Sequence, residues 1–88
     1  MKYHVEFSKT ARKQIQKIDR AQASLILGWI HKNLEGCKDP RIHGKGLTAN
    51  RSGQWRYRIG DYRIIAEIFD DKVLILIVNV GHRRDVYE

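Results

Sequence analysis

A β-hairpin centred on Gly60 and Asp61 constrains the fold of this 88-residue chain more than any other feature. Residues 54–59 and 62–69 both alternate between apolar and polar side chains, a pattern typical of strands buried on one face. Glycine adopts the positive φ that a two-residue hairpin turn requires. If Gly60 and Asp61 form that turn, Ile59 pairs with Tyr62, Arg58 with Arg63, Tyr57 with Ile64 and Arg56 with Ile65.

This register predicts a hairpin with two chemically different faces. The apolar face should lie under the helices, and it consists of Trp55, Tyr57, Ile59, Tyr62, Ile64, Ala66 and Ile68. Arg56, Arg58 and Arg63 fall together on the opposite face, which we call the arginine face.

The arginine face is a candidate binding site for an anion. Like charges directly opposite each other across a hairpin destabilise it, so folding alone gives no reason for this arrangement. Guanidinium groups offer bidentate donors that match phosphate or carboxylate oxygens, which indicates a phosphodiester backbone or an acidic peptide. The alternative is a solvated sheet face whose long side chains cover apolar surface, with Glu67 as a neutraliser.

Periodicity and capping residues predict the elements before the hairpin. Lys2–Phe7 alternates and predicts a half-buried strand. Ser8 and Asp19 are suited to cap two helices, because their side-chain oxygens accept first-turn N–H groups, and Gly36 is suited to end the second helix. The short link between the helices predicts an antiparallel helical hairpin.

The remaining segments complete the predicted fold class. Residues 37–53 contain the only proline and several glycines, and we interpret them as a basic loop. Val73–Val80 is almost wholly apolar, which predicts a central strand covered on both sides. The predicted order is β-α-α-β-β-β over a single domain, 1–88. In this α+β fold the helical hairpin packs on one face of a small, mainly antiparallel four-stranded sheet.

Positive charge is concentrated around the hairpin. The chain has 17 Lys and Arg against 10 Asp and Glu, a net charge of +7. In residues 41–63 six basic side chains meet Asp61 alone, a net +5; they are Arg41, Lys45, Arg51, Arg56, Arg58 and Arg63. Such a patch predicts a polyanionic or acidic partner.

Composition also limits the compartment and the chemistry. A single cysteine excludes an intramolecular disulfide framework and a clustered zinc site, and it fits a reducing cytoplasm. No apolar run reaches the roughly 18 residues that a membrane span needs. We therefore predict a cytoplasmic chain that uses no metal or other cofactor.

The C-terminal segment, residues 81–88, supplies a second group of polar side chains. It leaves the central strand, so we expect His82 and Arg83 to emerge beside the arginine face and Tyr87 to fold back over it. Histidine titrates near neutrality. Cleavage of a phosphodiester by its neighbouring 2′-hydroxyl needs a base, a leaving-group acid and cations, which this set could supply without a metal. The alternative is a frayed polar terminus.

The predicted element order, the run from Gln54 to Ile64 and the ending from Val80 to Tyr87 resemble the RelE toxins of the RelE/ParE superfamily. The resemblance extends over essentially the whole chain. It implies the toxin of a type II toxin–antitoxin pair, an endoribonuclease that cleaves mRNA in the ribosomal A site beside 16S rRNA. It further implies a RelB-like antitoxin that blocks the toxin, and operator DNA contacted only through the antitoxin complex.

By motif position, the resemblance implies catalytic roles for Arg56 and Arg58 on the first hairpin strand, for Arg63 after the turn and for Arg83 after the last strand. It implies that Tyr87 stacks on a base. The best-known members have lysines where this chain has its first two arginines, and arginine cannot release a proton as lysine can. We therefore predict that His82 transfers the proton. We predict further RNA contacts from Lys45, Arg51, Lys9, Arg12 and Lys13, although the three helical residues would otherwise form a solvated surface.

Two other functions stay open. The ParE branch of the superfamily shares the fold, lacks the catalytic set and inhibits DNA gyrase. The ending with His82, Arg83 and Tyr87 favours the RelE branch. A third reading is a non-catalytic basic module whose arginine face only binds nucleic acid or an acidic antitoxin segment.

Overall fold

Two helices cover one face of a mixed five-stranded sheet in the computed structural model, which describes residues 2–46 and 54–82. The predicted α+β class, with its helical hairpin on one face of the sheet, is confirmed. The elements are β1 (His4–Phe7), α1 (Lys9–Lys17), α2 (Arg20–Asn33), β2 (Lys45–Gly46), β3 (Gln54–Ile59), β4 (Tyr62–Phe69), a 3₁₀ turn (Asp70–Lys72) and β5 (Leu74–His82).

The helices begin at the residues that the sequence predicts. The Ser8 hydroxyl accepts a hydrogen bond from the backbone N–H of Ala11 at 3.0 Å, and the Asp19 carboxylate accepts from the N–H groups of Ala21 and Gln22. These bonds satisfy first-turn donors that have no partner within the helix. Gly36 follows α2 with a φ of +78°, in the left-handed region that favours glycine.

The predicted register of the hairpin is confirmed at every pair. Ile59 lies opposite Tyr62, and Arg58 lies opposite Arg63. Gly60 takes a φ of +58°, as the tight turn requires. Because side chains alternate along a strand, this register determines which residues of β3 and β4 face the helices.

The apolar side chains of the hairpin and the helices form one core. The fully buried members of this cluster are Ala11, Ile26, Ile30, Leu34, Tyr57, Ile64, Ala66, Ile75, Ile77 and Val80. Trp55, Ile59 and Tyr62 are half-buried and pack against it, so the predicted apolar face does lie under the helices. Within residues 2–46 and 54–82, the arginine face is consequently the side of the sheet on which no helix packs.

The apolar strand β5 lies inside the sheet, as predicted, but the expected cover on both faces is wrong for the described residues, because both helices pack on one face and Leu74 and Leu76 on the other stay partly exposed. The strand order is β1-β5-β4-β3-β2, and β5 pairs in parallel with β1 and antiparallel with β4. The strand starts at Leu74, because Val73 adopts a left-handed φ of 51°, and it continues through His82 rather than ending at Val80. An irregularity between Ile65 and Ala66 leaves β5 with one extra residue relative to β4.

The prediction of four strands is wrong by one, since Lys45 and Gly46 form the short strand β2 within the expected loop. A strand of this length has no periodicity that a sequence could display. Two glycines allow the close approach to β3: a Cβ atom on Gly44 would overlap the backbone oxygen of Arg56, and one on Gly46 would lie 3.0 Å from the Trp55 ring. Among the described residues, no helix is long and apolar enough to cross a bilayer.

Candidate functional site

The arginine face includes residue pairs of β3 and β4 whose side chains point away from the helices. We call each such pair a rung and count from the turn, so the arginines lie on the first two rungs of this face. Arg58 is directly opposite Arg63, and Arg56 occupies the next rung on the same face, opposite Ile65. Directly opposite residues have Cβ atoms about 5 Å apart, so the three guanidinium groups share one small area of surface. Arg58 is exposed, whereas Arg56 and Arg63 are half-buried and cover the nearly inaccessible Ile65 between them.

The electrostatics of this cluster favour a bound anion. Burial lowers the pKa of the Arg56 guanidinium, and the positive charges of Arg63 and Arg58 lower it further. Arginine nevertheless stays protonated at neutral pH. A positive charge that is partly removed from water and placed beside like charges is stabilised by an anionic ligand between them.

Lys45 lies at the edge of the arginine face. Strand β2 places it opposite Arg56 in register, so the two side chains share a face. The chain before Lys45 is anchored: the Trp55 indole donates to the His43 carbonyl at 2.5 Å, and the Tyr57 hydroxyl donates to the Pro40 carbonyl at 2.7 Å. The structure therefore brings this predicted RNA-binding residue to the predicted catalytic arginines.

A polar pair occupies the third rung of the ladder. Gln54 lies opposite Glu67, and its side-chain amide donates to the Glu67 carboxylate at 3.1 Å. Glu67 was considered in the sequence only as a possible neutraliser of the arginines. In the structure the Glu67 carboxylate accepts a hydrogen bond from Gln54 instead. The hairpin register already places these two residues opposite each other, so the contact was predictable from the sequence.

The expected position of His82 beside the arginine face is wrong. His82 pairs with Tyr62 in register, and the two rings meet edge to face with centroids 5.5 Å apart. Tyr62 belongs to the helix-covered side, so His82 lines a cleft there with Gln14 and Asp19. The reason is alternation: β5 continues past Val80, which faces the core, and the residue two positions later faces the same side.

The cleft beside His82 contains a polar contact that the sequence did not reveal. Beyond the end of β1 the edge of β5 is uncovered, and Gln14 of α1 closes it. The Gln14 carboxamide accepts from the Val80 N–H at 2.6 Å and donates to the Asn79 side chain at 2.8 Å. The only sign of this contact in the sequence was Gln14 itself, a polar residue among the apolar positions of α1.

The other predicted site residues do not join this cluster in the described parts of the chain. Lys9, Arg12 and Lys13 are exposed on α1, on the opposite side of the sheet from the arginine face. Arg51, Arg83 and Tyr87 lie outside the described residues.

Comparisons with known proteins agree with this fold. The family model for the ParE toxin of type II toxin–antitoxin systems matches residues 5–87. Toxin RelG of Mycobacterium tuberculosis is 30% identical over 87 residues, which cover 99% of this chain and 98% of that protein. A putative RelE-like toxin of Escherichia coli is 32% identical over 91 residues, covering 99% of this chain and 92% of that protein.

Solved structures show the same architecture. The RelBE2 toxin–antitoxin complex of Mycobacterium tuberculosis contains a chain with a TM-score of 0.84 and 28% identity, covering 94% of this chain and 100% of that one. The archaeal RelE–RelB complex of Pyrococcus horikoshii gives a TM-score of 0.73 and 26% identity, covering 98% of this chain and 100% of that one. The chain therefore belongs to the ParE toxin family of type II toxin–antitoxin systems, as a RelE-type toxin of the RelE/ParE superfamily.

Proposed function

We propose that this toxin is an endoribonuclease that cleaves mRNA in the ribosomal A site and thereby inhibits translation. The observation that carries the proposal is the arginine face, where Arg58 lies opposite Arg63 and next to the half-buried Arg56. Three guanidinium groups gathered on one face of the sheet offer the donors and the charge that bind a phosphodiester. Such a surface is suited to RNA held in an extended, accessible form.

In the proposed reaction the arginines bind the phosphate before and during attack by the 2′-hydroxyl. Negative charge increases on the phosphate oxygens as the new bond forms, and preorganised donors stabilise that charge more than they stabilise the ground state. Lys45 extends the same positive surface along the RNA backbone. Arg83 and Tyr87 keep the roles that the family resemblance implies, phosphate binding and base stacking.

A purified translation system tests the proposal. We expect the wild-type toxin to cut mRNA at the A-site codon of a programmed ribosome, and Arg58→Gln to reduce the cleavage rate by roughly 100-fold or more, as loss of a preorganised donor does elsewhere. The Lys32→Gln variant, altered at an exposed position of α2, is the matched control and should cleave at the wild-type rate. Intact mRNA in the presence of wild-type toxin would overturn the proposal.

A second candidate function is inhibition of DNA gyrase, which the match to the ParE toxin model favours. A supercoiling assay with purified gyrase distinguishes the two. Inhibited or cleaved DNA products beside intact mRNA would support gyrase as the target. If the toxin alters neither mRNA nor DNA, the non-catalytic binding module is the better description.

We further propose that a RelB-like antitoxin neutralises this toxin in the cytoplasm, where the ribosome is found. Two structural neighbours are complexes of a RelE toxin with its antitoxin. The arginine face would attract an acidic antitoxin segment by the same charges that attract RNA. A small acidic protein encoded beside this toxin should therefore copurify with it and restore translation in the assay above.

A further inference from the structure

The proposed reaction needs a group that takes the proton from the attacking 2′-hydroxyl. The three arginines of the arginine face cannot do this, because arginine does not deprotonate in proteins. His82, the group expected from the sequence, faces the helices instead. Among the described residues, the group to consider is therefore a carboxylate on the face of the sheet that carries the arginines.

Glu67 has the required position. It lies on the same face as the arginines, one rung beyond Arg56 and Ile65 and two residues along β4 from Ile65. Two residues of an extended strand span about 7 Å, and diagonal neighbours on adjacent strands are about as far apart. A phosphate held at the Arg56 end of the arginine face would thus lie next to this carboxylate, whereas Arg58 and Arg63 lie one rung further from it.

The Glu67 carboxylate is held in one orientation. The Gln54 side chain donates to its Oε2 atom at 3.1 Å, while Oε1 accepts no hydrogen bond from the described residues. The glutamine thus orients the carboxylate on the face of the sheet that carries the arginines. A carboxylate oxygen placed within hydrogen-bond reach of a hydroxyl can act as its proton acceptor.

The charges around Glu67 come from four strands and one turn, and Lys45 of β2 lies beyond Arg56 on the same face. Arg56 and Arg63 share its face on β3 and β4, and the neutral Leu76 is its partner on β5. Beyond Leu76 lies Glu6 of β1. Lys72 stays at the end of β4, with its ammonium 5.5 Å from the centre of the Phe69 ring. The nearest described charges on the same face are therefore the cations that hold the phosphate.

We infer that Glu67 is the proton acceptor of the cleavage reaction, an inference that rests on the proposed function. The 2′-hydroxyl proton passes to Oε1 of Glu67 as the bond from O2′ to phosphorus forms. The bond from phosphorus to the 5′-oxygen then breaks, and this oxygen takes a proton from water. The products are a 2′,3′-cyclic phosphate and a 5′-hydroxyl, with Glu67 returned to its ionised form when it releases the proton to solvent.

Single-turnover cleavage of ribosome-bound mRNA tests this assignment. The Glu67→Gln variant keeps the side-chain volume and loses the acceptor, so its rate should fall by roughly 100- to 10,000-fold, as for general bases elsewhere. Its affinity for the programmed ribosome should not change. Glu67→Asp keeps a carboxylate at this position and should retain part of the activity that Glu67→Gln loses.

Two matched variants separate this role from others. Glu6→Gln removes a carboxylate from the same face two strands away and should cleave at the wild-type rate. His82→Gln tests the group predicted from the sequence and should lose far less activity than Glu67→Gln. A wild-type rate for Glu67→Gln, or a loss of activity in His82→Gln as large as that in Glu67→Gln, would overturn the assignment and leave the nuclease proposal intact. Intact mRNA with wild-type toxin would overturn both.

Discussion

At the scale of single residues, repulsion between the positive charges of the arginine face destabilises the folded state. Arg58 and Arg63 are placed opposite each other, and the lowered pKa of Arg56 arises from its burial and then from these two charges. The hairpin sequence specifies this arrangement, because a two-residue turn at Gly60 and Asp61 determines which residues of the two strands pair. These residues were therefore predictable. The Gln54–Glu67 contact lies one rung further along the same ladder.

Neutralising one arginine should separate stability from activity. Arg58→Gln removes a like-charge pair across the hairpin, so the free energy of unfolding should rise by about 0.2–1 kcal/mol. Urea denaturation at low salt measures this gain, which should shrink at high salt. A variant that is both less stable and less active would instead indicate that the arginine side chain is needed for packing.

Glu35 links acid stability to the edge of the sheet. Its carboxylate accepts from the Val5 N–H at 3.0 Å and lies 3.1 Å from His4, and these bonds lower its pKa below the ordinary 4.5. A lowered pKa means that the folded state favours the ionised form, so this stabilisation is present above about pH 4.5 and is lost as the pH falls below it. Glu35→Gln should flatten the loss of stability between pH 5 and pH 3, measured by urea denaturation at each pH. An unchanged pH dependence would contradict this role.

At the scale of elements, the short strand β2 depends on glycine. Gly44 has a φ of +75°, and a Cβ atom there would overlap the backbone of β3. The sequence could not reveal this strand, because pairing over two residues leaves no periodic pattern. The same limit explains the irregularity opposite Ile65 and the extension of β5 to His82, since both depend on contacts with neighbouring strands rather than on local preference.

Two glycine substitutions should have opposite effects. Gly44→Ala forces alanine into the left-handed region and against Arg56, so it should lower the free energy of unfolding by at least about 1 kcal/mol. Gly28→Ala is the control: it lies inside α2 with open space around it, and alanine there should stabilise the helix by about 0.5–1 kcal/mol. Thermal denaturation measures both. Equal effects of the two substitutions would show that β2 contributes nothing to stability.

At the scale of the whole molecule, the net charge of +7 predicts binding to RNA that weakens with salt. For single-stranded RNA the logarithm of affinity falls with the logarithm of salt concentration by about 0.7 per phosphate contacted. Arg58→Gln should therefore make this slope shallower by about 0.7 for a short RNA, measured by fluorescence anisotropy. Lys32→Gln changes the net charge equally but lies on the helical side, so the slope should not change. Identical slopes for both variants would mean that the RNA reads overall charge rather than the arginine face.

The parallel pairing of β1 with β5 also determines when the toxin can complete its fold. His4 lies beside Leu74 and Phe7 beside Ile77, so the first strand must wait for a partner 70 residues further along the chain. Contacts at such separation form late, because the chain must lose the conformational entropy of a long loop before the strand pairing can stabilise it. The β3–β4 hairpin, by contrast, is local and can form early. During synthesis the arginine face can thus be present before the sheet that supports it is closed, and the nascent chain completes its fold only after residue 77 has become available.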